Sequence, residues 1–302
     1  MILKDRPEPL ELRLLKLLDA RTVLEEKEKK SLHNKAKGYE GEKVFDLLTE
    51  KLAPPSYLLH DLLLESNNSQ FQMDSLMIRQ GPIYLFEVKN FEGDFYYENG
   101  RFYSLTSNKE IKNPLLQLER CESLLRQLLQ SLGYRMAIEA YVIFINPKFH
   151  LYQSPMNQPI VYPNQLPDFM SKLNRKSSTL NGHHKSLAEQ LVSMHQTESP
   201  YEKYSKYSID RLKKGVICGG CHSFGVSIND RYLQCRVCGH REGIDAAVVR
   251  AVEEIRLLYP HERITTNLVF EWCESIDSKK TIRRVLKQNL VCNGKTKGLF
   301  YE

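Results

Sequence analysis

The spacing of apolar residues changes period several times along the chain, and each change marks an element. Leu10, Leu14, Leu17 and Leu18 recur at helical spacing and lead into a charged tail, which predicts a helix from Leu10 to Lys37 for packing or dimerisation. Gly38-Tyr39-Glu40-Gly41-Glu42 interrupts that pattern, and a second helix is expected from Glu42 to Leu52, before Pro54-Pro55. Two short apolar runs, Leu76–Ile78 and Ile83–Val88, flank Gly81-Pro82 and predict a β-hairpin, with Asp74 opening its first strand. Phe95–Tyr97 and Phe102–Tyr103 predict another across Glu98-Asn99-Gly100. Asn113-Pro114 starts a helix on which Leu115, Leu118, Leu125, Leu128 and Leu129 recur. Tyr141–Ile145 reads as a buried central strand, Ile160–Tyr162 as a last strand and Leu166–Leu173 as a helix. Strands, a long helix and then a buried strand indicate an α/β domain with a mixed sheet.

Beyond it, Asn174 to Gly182 reads as a loop, Leu187–His195 as a short helix and Thr197–Tyr207 as a polar linker. Helical spacing returns in Gly243–Tyr259, Thr266–Cys273 and Ser278–Leu286, with Ser278 able to cap the third helix. Three helices and a closing hairpin at Asn293-Gly294 make a winged helix-turn-helix pattern. The expected organisation is an N-terminal helix over 1–37, an α/β domain over 38–175, and a helix and linker over 176–213. A cysteine-bearing segment follows over 214–242, and a winged-helix-like basic module over 243–302.

A length of 302 residues has room for one large and one or two small cores. No apolar run approaches the roughly 18 residues of a membrane span, and charges and prolines stand where a signal peptide needs an apolar core. No membrane partner, a cytoplasmic location and reduced cysteines are the expectation. The net charge of +6 is unevenly placed. Lys279, Lys280, Arg283, Arg284 and Lys287 fall on the third helix, and Lys295 and Lys297 on the closing hairpin, against Asp277 and Glu302. Such a cluster suits a nucleic-acid backbone, although a solvated helix surface has the same composition.

Chemistry enters with the first hairpin. Glu87 and Lys89 lie two apart, so the strand period puts them on one face, near Asp74 at the same hairpin end. Burying these charges is costly unless they pair or bind an ion, and a divalent metal on Asp74 and Glu87 would meet that cost. An ordinary edge-strand salt bridge beside a solvated Asp74 is the plainer alternative. Cys218-Gly-Gly-Cys221 and Cys235-Arg-Val-Cys238 are two Cys-x-x-Cys knuckles. Between them, Val226–Ile228 and Tyr232–Gln234 supply hairpin strands and Asn229-Asp230 the turn. Four thiolates in that arrangement suit a closed structural zinc site, a zinc ribbon, with His222 and His240 as weaker ligand candidates. Free core thiols or a redox pair fit two paired knuckles less well.

Together these residues resemble a known family. Gly41-Glu42 at a helix start, Asp74 on a strand, Glu87-Val88-Lys89 on the next and Asn113-Pro114-Leu-Leu-Gln117 opening a helix look like the NERD, or nuclease-related, domain over residues 35 to 170. That family is assigned to the PD-(D/E)XK nuclease superfamily; Met73 stands where the superfamily name implies proline. The resemblance implies a restriction-endonuclease-like mixed-sheet core flanked by helices, and hydrolysis of phosphodiesters, of DNA by analogy, leaving a 5′-phosphate. It implies that Asp74 and Glu87 hold Mg²⁺ or Mn²⁺, that Lys89 orients or deprotonates the attacking water, and that Glu42 and Gln117 assist. A second hypothesis is a non-catalytic nucleic-acid-binding or scaffold protein retaining the nuclease fold. A third is a zinc-stapled interaction protein that dimerises through the helix Leu10–Lys37.

Overall fold

The computed structural model describes all 302 residues except 198–200, 205, 230, 296 and 297, and the side chains of 201, 202 and 229. Lys297 and half of the Asn229-Asp230 turn therefore lie outside the described residues. The chain forms two compact units, one of Met1–Glu8 with Asn34–Thr197, the other of Pro9–His33 with Glu198–Glu302.

The N-terminal region holds β1 (Ile2–Lys4), α1 (Leu10–Arg21) and α2 (Glu26–Glu50). The single helix expected over Leu10 to Lys37 is thus two helices, parted where Thr22 adopts extended backbone at φ −154°. Conversely, α2 runs unbroken through Gly38 and Gly41. A helical glycine costs only about 1 kcal/mol relative to alanine. At Gly41 that cost accompanies a close approach, because a Cβ there would stand 2.5 Å from the Cβ of Asn90.

The first unit continues through β2 (Tyr57–Ser66), β3 (Ser69–Ile78), β4 (Ile83–Lys89), β5 (Gly93–Glu98), β6 (Arg101–Ser104), β7 (Glu110–Ile111) and α3 (Pro114–Ser131). It closes with β8 (Ile138–Phe144), β9 (Phe149–Tyr152), β10 (Ile160–Val161), α4 (Leu166–Arg175) and α5 (Gly182–Ser193). A six-stranded sheet has the order β1-β2-β3-β4-β8-β10, and a second, four-stranded sheet the order β7-β6-β5-β9. In the larger sheet β2, β3 and β4 are antiparallel, while β8 runs parallel to β4 and β10 to β8. This is the mixed α/β architecture expected from the sequence.

Period-two alternation sorts the side chains between layers. Leu76, Ile78, Ile83 and Leu85 pack with Leu118 and Leu125 of α3 and Leu187 and Leu191 of α5. Met77, Tyr84, Phe86 and Val88 pack with Phe45 of α2 and with Leu166 and Leu173 of α4. The alternation breaks once. Leu62, Leu64, Phe71 and Met73 share the cluster of Leu59 and Leu76, so β2 and β3 both change face around Asp61 and Asp74. Asp61 sits there at φ +54°, a left-handed conformation that short polar residues tolerate best. Asp74 consequently lies inside β3 instead of opening it; the residues before it keep no simple alternation from which a strand could be read.

The second unit contains α1, α6 (Tyr201–Tyr204), β11 (Val226–Asn229), β12 (Tyr232–Cys235), β13 (Arg241–Gly243), α7 (Ile244–Leu258), α8 (Thr266–Cys273), α9 (Lys279–Asn289), β14 (Cys292–Asn293) and β15 (Phe300–Tyr301). Leu14, Leu15 and Leu18 of α1 join Val248, Ala251, Ile255, Trp272 and Val285 in one core. Ser278 caps α9 by accepting from the Thr281 amide at 3.2 Å. A bridge from Ile264, between α7 and α8, to Tyr301 adds a third segment beside β14 and β15, as a winged helix-turn-helix requires. Among the described residues no helix is long and apolar enough to cross a membrane.

Candidate functional site

The β3–β4 ladder pairs Ile78 with Ile83 through Ser75 with Phe86, which sets Asp74 opposite Glu87 one step further on. There the backbone ladder stops. The Val88 amide instead donates to Asp74 Oδ2 at 2.7 Å. Lys89, two residues beyond Glu87, donates from Nζ to Glu87 Oε1 at 2.5 Å. Glu87 is buried, its side chain 7% exposed, and Lys89 half-buried. Asp74, Glu87 and Lys89 are therefore neighbours at one end of the sheet.

Helix α2 brings a second pair of carboxylates. Its close approach at Gly41 is sealed by Asn90, whose side-chain amide donates to the Lys37 carbonyl at 2.7 Å and whose oxygen accepts from Asn146 at 3.0 Å. Glu42 and Asp46, one helical turn apart, then meet the guanidinium of Arg6. Asp46 also faces His60 Nδ1 at 3.0 Å, and His60 Nδ1 lies 3.1 Å from the Ser75 hydroxyl. On the other face, Cys121 of α3 points its thiol at the Gln72 carbonyl, 3.3 Å away. Gln117 stands in the first turn of α3, half-buried. Its side chain hydrogen-bonds none of these groups among the described residues.

The electrostatics are those of a negative, poorly solvated cluster. Burial first, and the charge of Asp74 second, push the Glu87 carboxyl up to about 7 against the partial relief from Lys89. Burial and Asp74 do the same to Glu42, also to about 7, with Arg6 opposing. Burial would lower the Lys89 ammonium, but Glu87 and Asp74 outweigh it and the pKa is raised. Burial, Glu87 and Asp74 together push the Cys121 thiol to about 11. An excess of buried oxygen donors around Asp74 and Glu87 fits a hard divalent cation, which Mg²⁺ satisfies with one or two protein carboxylates, water and substrate phosphate.

Arg6, Asp46, His60, Asn90 and Cys121 are parts of this cluster that the sequence reading left out. Asp46 had a signal, being four residues after Glu42 on a helix. Arg6 had none, since nothing local joins it to residues 36 to 68 positions away.

The four cysteines also converge. All four sulfurs lie within 4.8 Å of one another, with Cys218–Cys238 and Cys221–Cys235 each at 3.6 Å. A tetrahedron with metal–sulfur bonds of about 2.3 Å has edges of about 3.8 Å, so the set needs little adjustment to hold zinc. The Gly220 and Val237 amides donate to Cys218 Sγ and Cys235 Sγ, both at 3.3 Å, one such bond in each knuckle. Hydrogen bonds from Ser223 and from backbone amides pull the Cys235 thiol down to about 6. At Cys238 the His240 amide is outweighed by Cys221 and the other sulfurs, which push that thiol up to about 12, as four thiols sharing one small site require. Neither His222 nor His240 belongs to the group. The flanking hairpin gains a third strand, β13, unforeseen in the sequence.

On α9, Lys280, Arg283 and Lys287 face solvent, as does Lys295 in the closing hairpin. Arg284 is engaged by Asp245 in a two-pronged pair at 2.7 and 2.9 Å, and Lys279 lies 5.6 Å from the Phe270 ring centre.

Residues 37–145 match the nuclease-related domain, NERD. The match takes in Glu42, Asp74, Glu87, Lys89 and Gln117, and leaves out Arg6 and the cysteine quartet. No curated protein matches the chain. Among solved structures, the crystal structure of a protein of unknown function, AF1548, aligns over 83% of this chain and 95% of its own at 11% identity. Its TM-score of 0.23 carries no fold assignment. Residues 37–145 are thus a nuclease-related domain, carried in one chain with a four-cysteine cluster able to form a zinc site.

Proposed function

We propose that this protein is a nuclease dependent on Mg²⁺ or Mn²⁺ that hydrolyses phosphodiester bonds of nucleic acid, with DNA as the expected substrate. The observation that carries the proposal is the grouping of Asp74, Glu87 and Lys89 at one sheet end, inside the nuclease-related domain. A cation bound by Asp74 and Glu87 would polarise the scissile phosphate and acidify a coordinated water. Lys89, held charged by its two acidic neighbours, orients that water and offsets negative charge accumulating on the phosphate oxygens. Glu42 is close enough in charge to both Asp74 and Lys89 to take a share in the same work. Gln117, at the start of α3, is assigned to substrate positioning. The cysteine quartet holds structural zinc, and Lys279, Lys280, Arg283, Lys287 and Lys295 form a phosphate-binding face from which the pair with Asp245 withdraws Arg284.

One observation favours a non-catalytic, nucleic-acid-binding role instead. Among the described residues, the cysteine quartet is the only group of three or more candidate ligands gathered within 4.8 Å; Glu42, Asp74 and Glu87 are looser. Cleavage assays on single-stranded DNA, double-stranded DNA and RNA with Mg²⁺ and Mn²⁺ separate the readings. Cutting is expected, and Lys89→Ala should lower it at least a hundredfold with nucleic-acid affinity nearly unchanged. Binding without cleavage under either metal would establish the second reading.

A further inference from the structure

We propose that Arg6, which lies outside the matched domain, is a positioning residue of the carboxylate site and fixes Glu42 for cation binding. The inference rests on the reading of that site as a Mg²⁺ or Mn²⁺ centre.

The Arg6 side chain is 3% exposed and all three guanidinium nitrogens are bonded. Nε and Nη2 grip both Asp46 oxygens at 2.7 and 3.0 Å, Nη1 holds Glu42 Oε2 at 2.7 Å, and Nη2 also reaches the Asp74 carbonyl at 2.6 Å. One rigid plane therefore ties α2 to the point in β3 that carries Asp74. Only a guanidinium has the donors and fixed fork for three such partners; an ammonium satisfies fewer, in no set geometry.

The approach of Arg6 is itself built into the fold. β1 pairs in parallel with β2, and Lys4 Nζ donates to the carbonyls of His60 and Asp61 at 2.8 and 2.7 Å. Asp61 is the residue at the face change opposite Asp74. Arg6 thus enters two residues after an anchored strand, at the kink that sets up the site.

The division of labour on α2 follows. Asp46 is consumed by Arg6 and His60, whose bonds hold it below the usual carboxylate range despite burial. Glu42 gives Arg6 one oxygen, and among the described residues Oε1 accepts no hydrogen bond, which leaves it for the cation or a coordinated water. A bare structural staple would need only the Asp46 fork. The additional bonds to Glu42 and to the Asp74 carbonyl have their purpose at the site.

The test is Mn²⁺ titration by calorimetry of the full chain, alongside thermal melting, for the wild type, Arg6→Lys, Glu42→Gln and the double variant. Outer partners of metal ligands typically change affinity about 10- to 100-fold. Arg6→Lys is expected to weaken Mn²⁺ binding about tenfold, Glu42→Gln by a similar factor, and the double variant no further than Glu42→Gln alone. A melting temperature lowered by Arg6→Lys with Mn²⁺ affinity within twofold of wild type would reduce Arg6 to a staple and overturn the inference. So would multiplying effects in the double variant. Unchanged affinity in Glu42→Gln overturns it regardless of how the Arg6 variant folds. A wild type that binds no Mn²⁺ overturns the metal reading along with it, whereas a wild type that binds normally while the variants do too overturns this inference alone.

Discussion

Glu87 is a carboxyl whose native environment favours its proton. Its pKa is near 4.5 when solvated and about 7 in the folded chain, raised by burial and then by Asp74. The folded state therefore binds the extra proton between those values. Its contribution to stability is complete below about pH 4.5 and is lost as pH rises through 7, with Glu42 acting in the same direction. For Glu87 alone the loss is on the order of 3 kcal/mol at about 1.4 kcal/mol per pKa unit. The metal-free protein should accordingly melt at lower temperature at pH 8 than at pH 5.5, and Glu87→Gln should flatten that dependence while abolishing Mn²⁺ binding. A pH-independent melting temperature in the wild type would contradict this account. Glu87 and Lys89 were readable together because strand alternation is a local rule, and Asp74 because a hairpin with a short turn brings it opposite Glu87. The guanidinium and imidazole that complete the cluster were not, because Arg6 and His60 reach it through chain reversals that no local pattern encodes.

At the scale of elements, α2 shows how a weak local signal is overridden. Gly38 and Gly41 suggest a break, yet the helix passes both. Their surroundings differ: a Cβ at Gly38 meets nothing within 4 Å, whereas at Gly41 it collides with Asn90. Gly38→Ala should stabilise the protein by about 0.5–1 kcal/mol. Gly41→Ala should destabilise it by about 1–3 kcal/mol, and weaken Mn²⁺ binding by moving Glu42, as read from urea unfolding and metal titration. The reverse ranking would sink this explanation of the glycine pair. The cysteine hairpin was legible for another reason: ligand spacing constrains a short loop more tightly than hydrophobic pattern does. About one zinc per chain is expected by metal analysis, and chelation should melt β11–β13 and raise four titratable thiols. Purified protein free of zinc and still folded in this segment would refute the assignment.

For the whole molecule, charge distribution is the property that sequence conveys best and contacts modify most. The basic run on α9 is present as read, but Asp245 withdraws Arg284 from it. Lys280, Arg283 and Lys287 remain as solvent-facing cations. Replacing these three by glutamine should weaken DNA binding at 0.1 M salt by at least tenfold and flatten its salt dependence by about three in slope, since each phosphate contact contributes roughly 0.9. Fluorescence anisotropy over a salt series decides it, and an unchanged slope would remove α9 from the interface. Fold class was recoverable because the order of strands and helices limits the layers available. Of the strands not anticipated, β1, β7, β9 and β13 are only two to four residues long, whereas the ten-residue β2 was hidden because its alternation changes face around Asp61.

Where the β3–β4 ladder ends, a carboxylate does the job of a missing carbonyl. Asp74 closes the weave at Val88 with the same group that the proposed chemistry needs. Truncating it to alanine orphans an amide in the fabric as well as deleting an oxygen donor, so lost turnover in such a protein has two inseparable origins. Asparagine keeps the stitch and removes the charge, and is the replacement from which the reaction itself can be read.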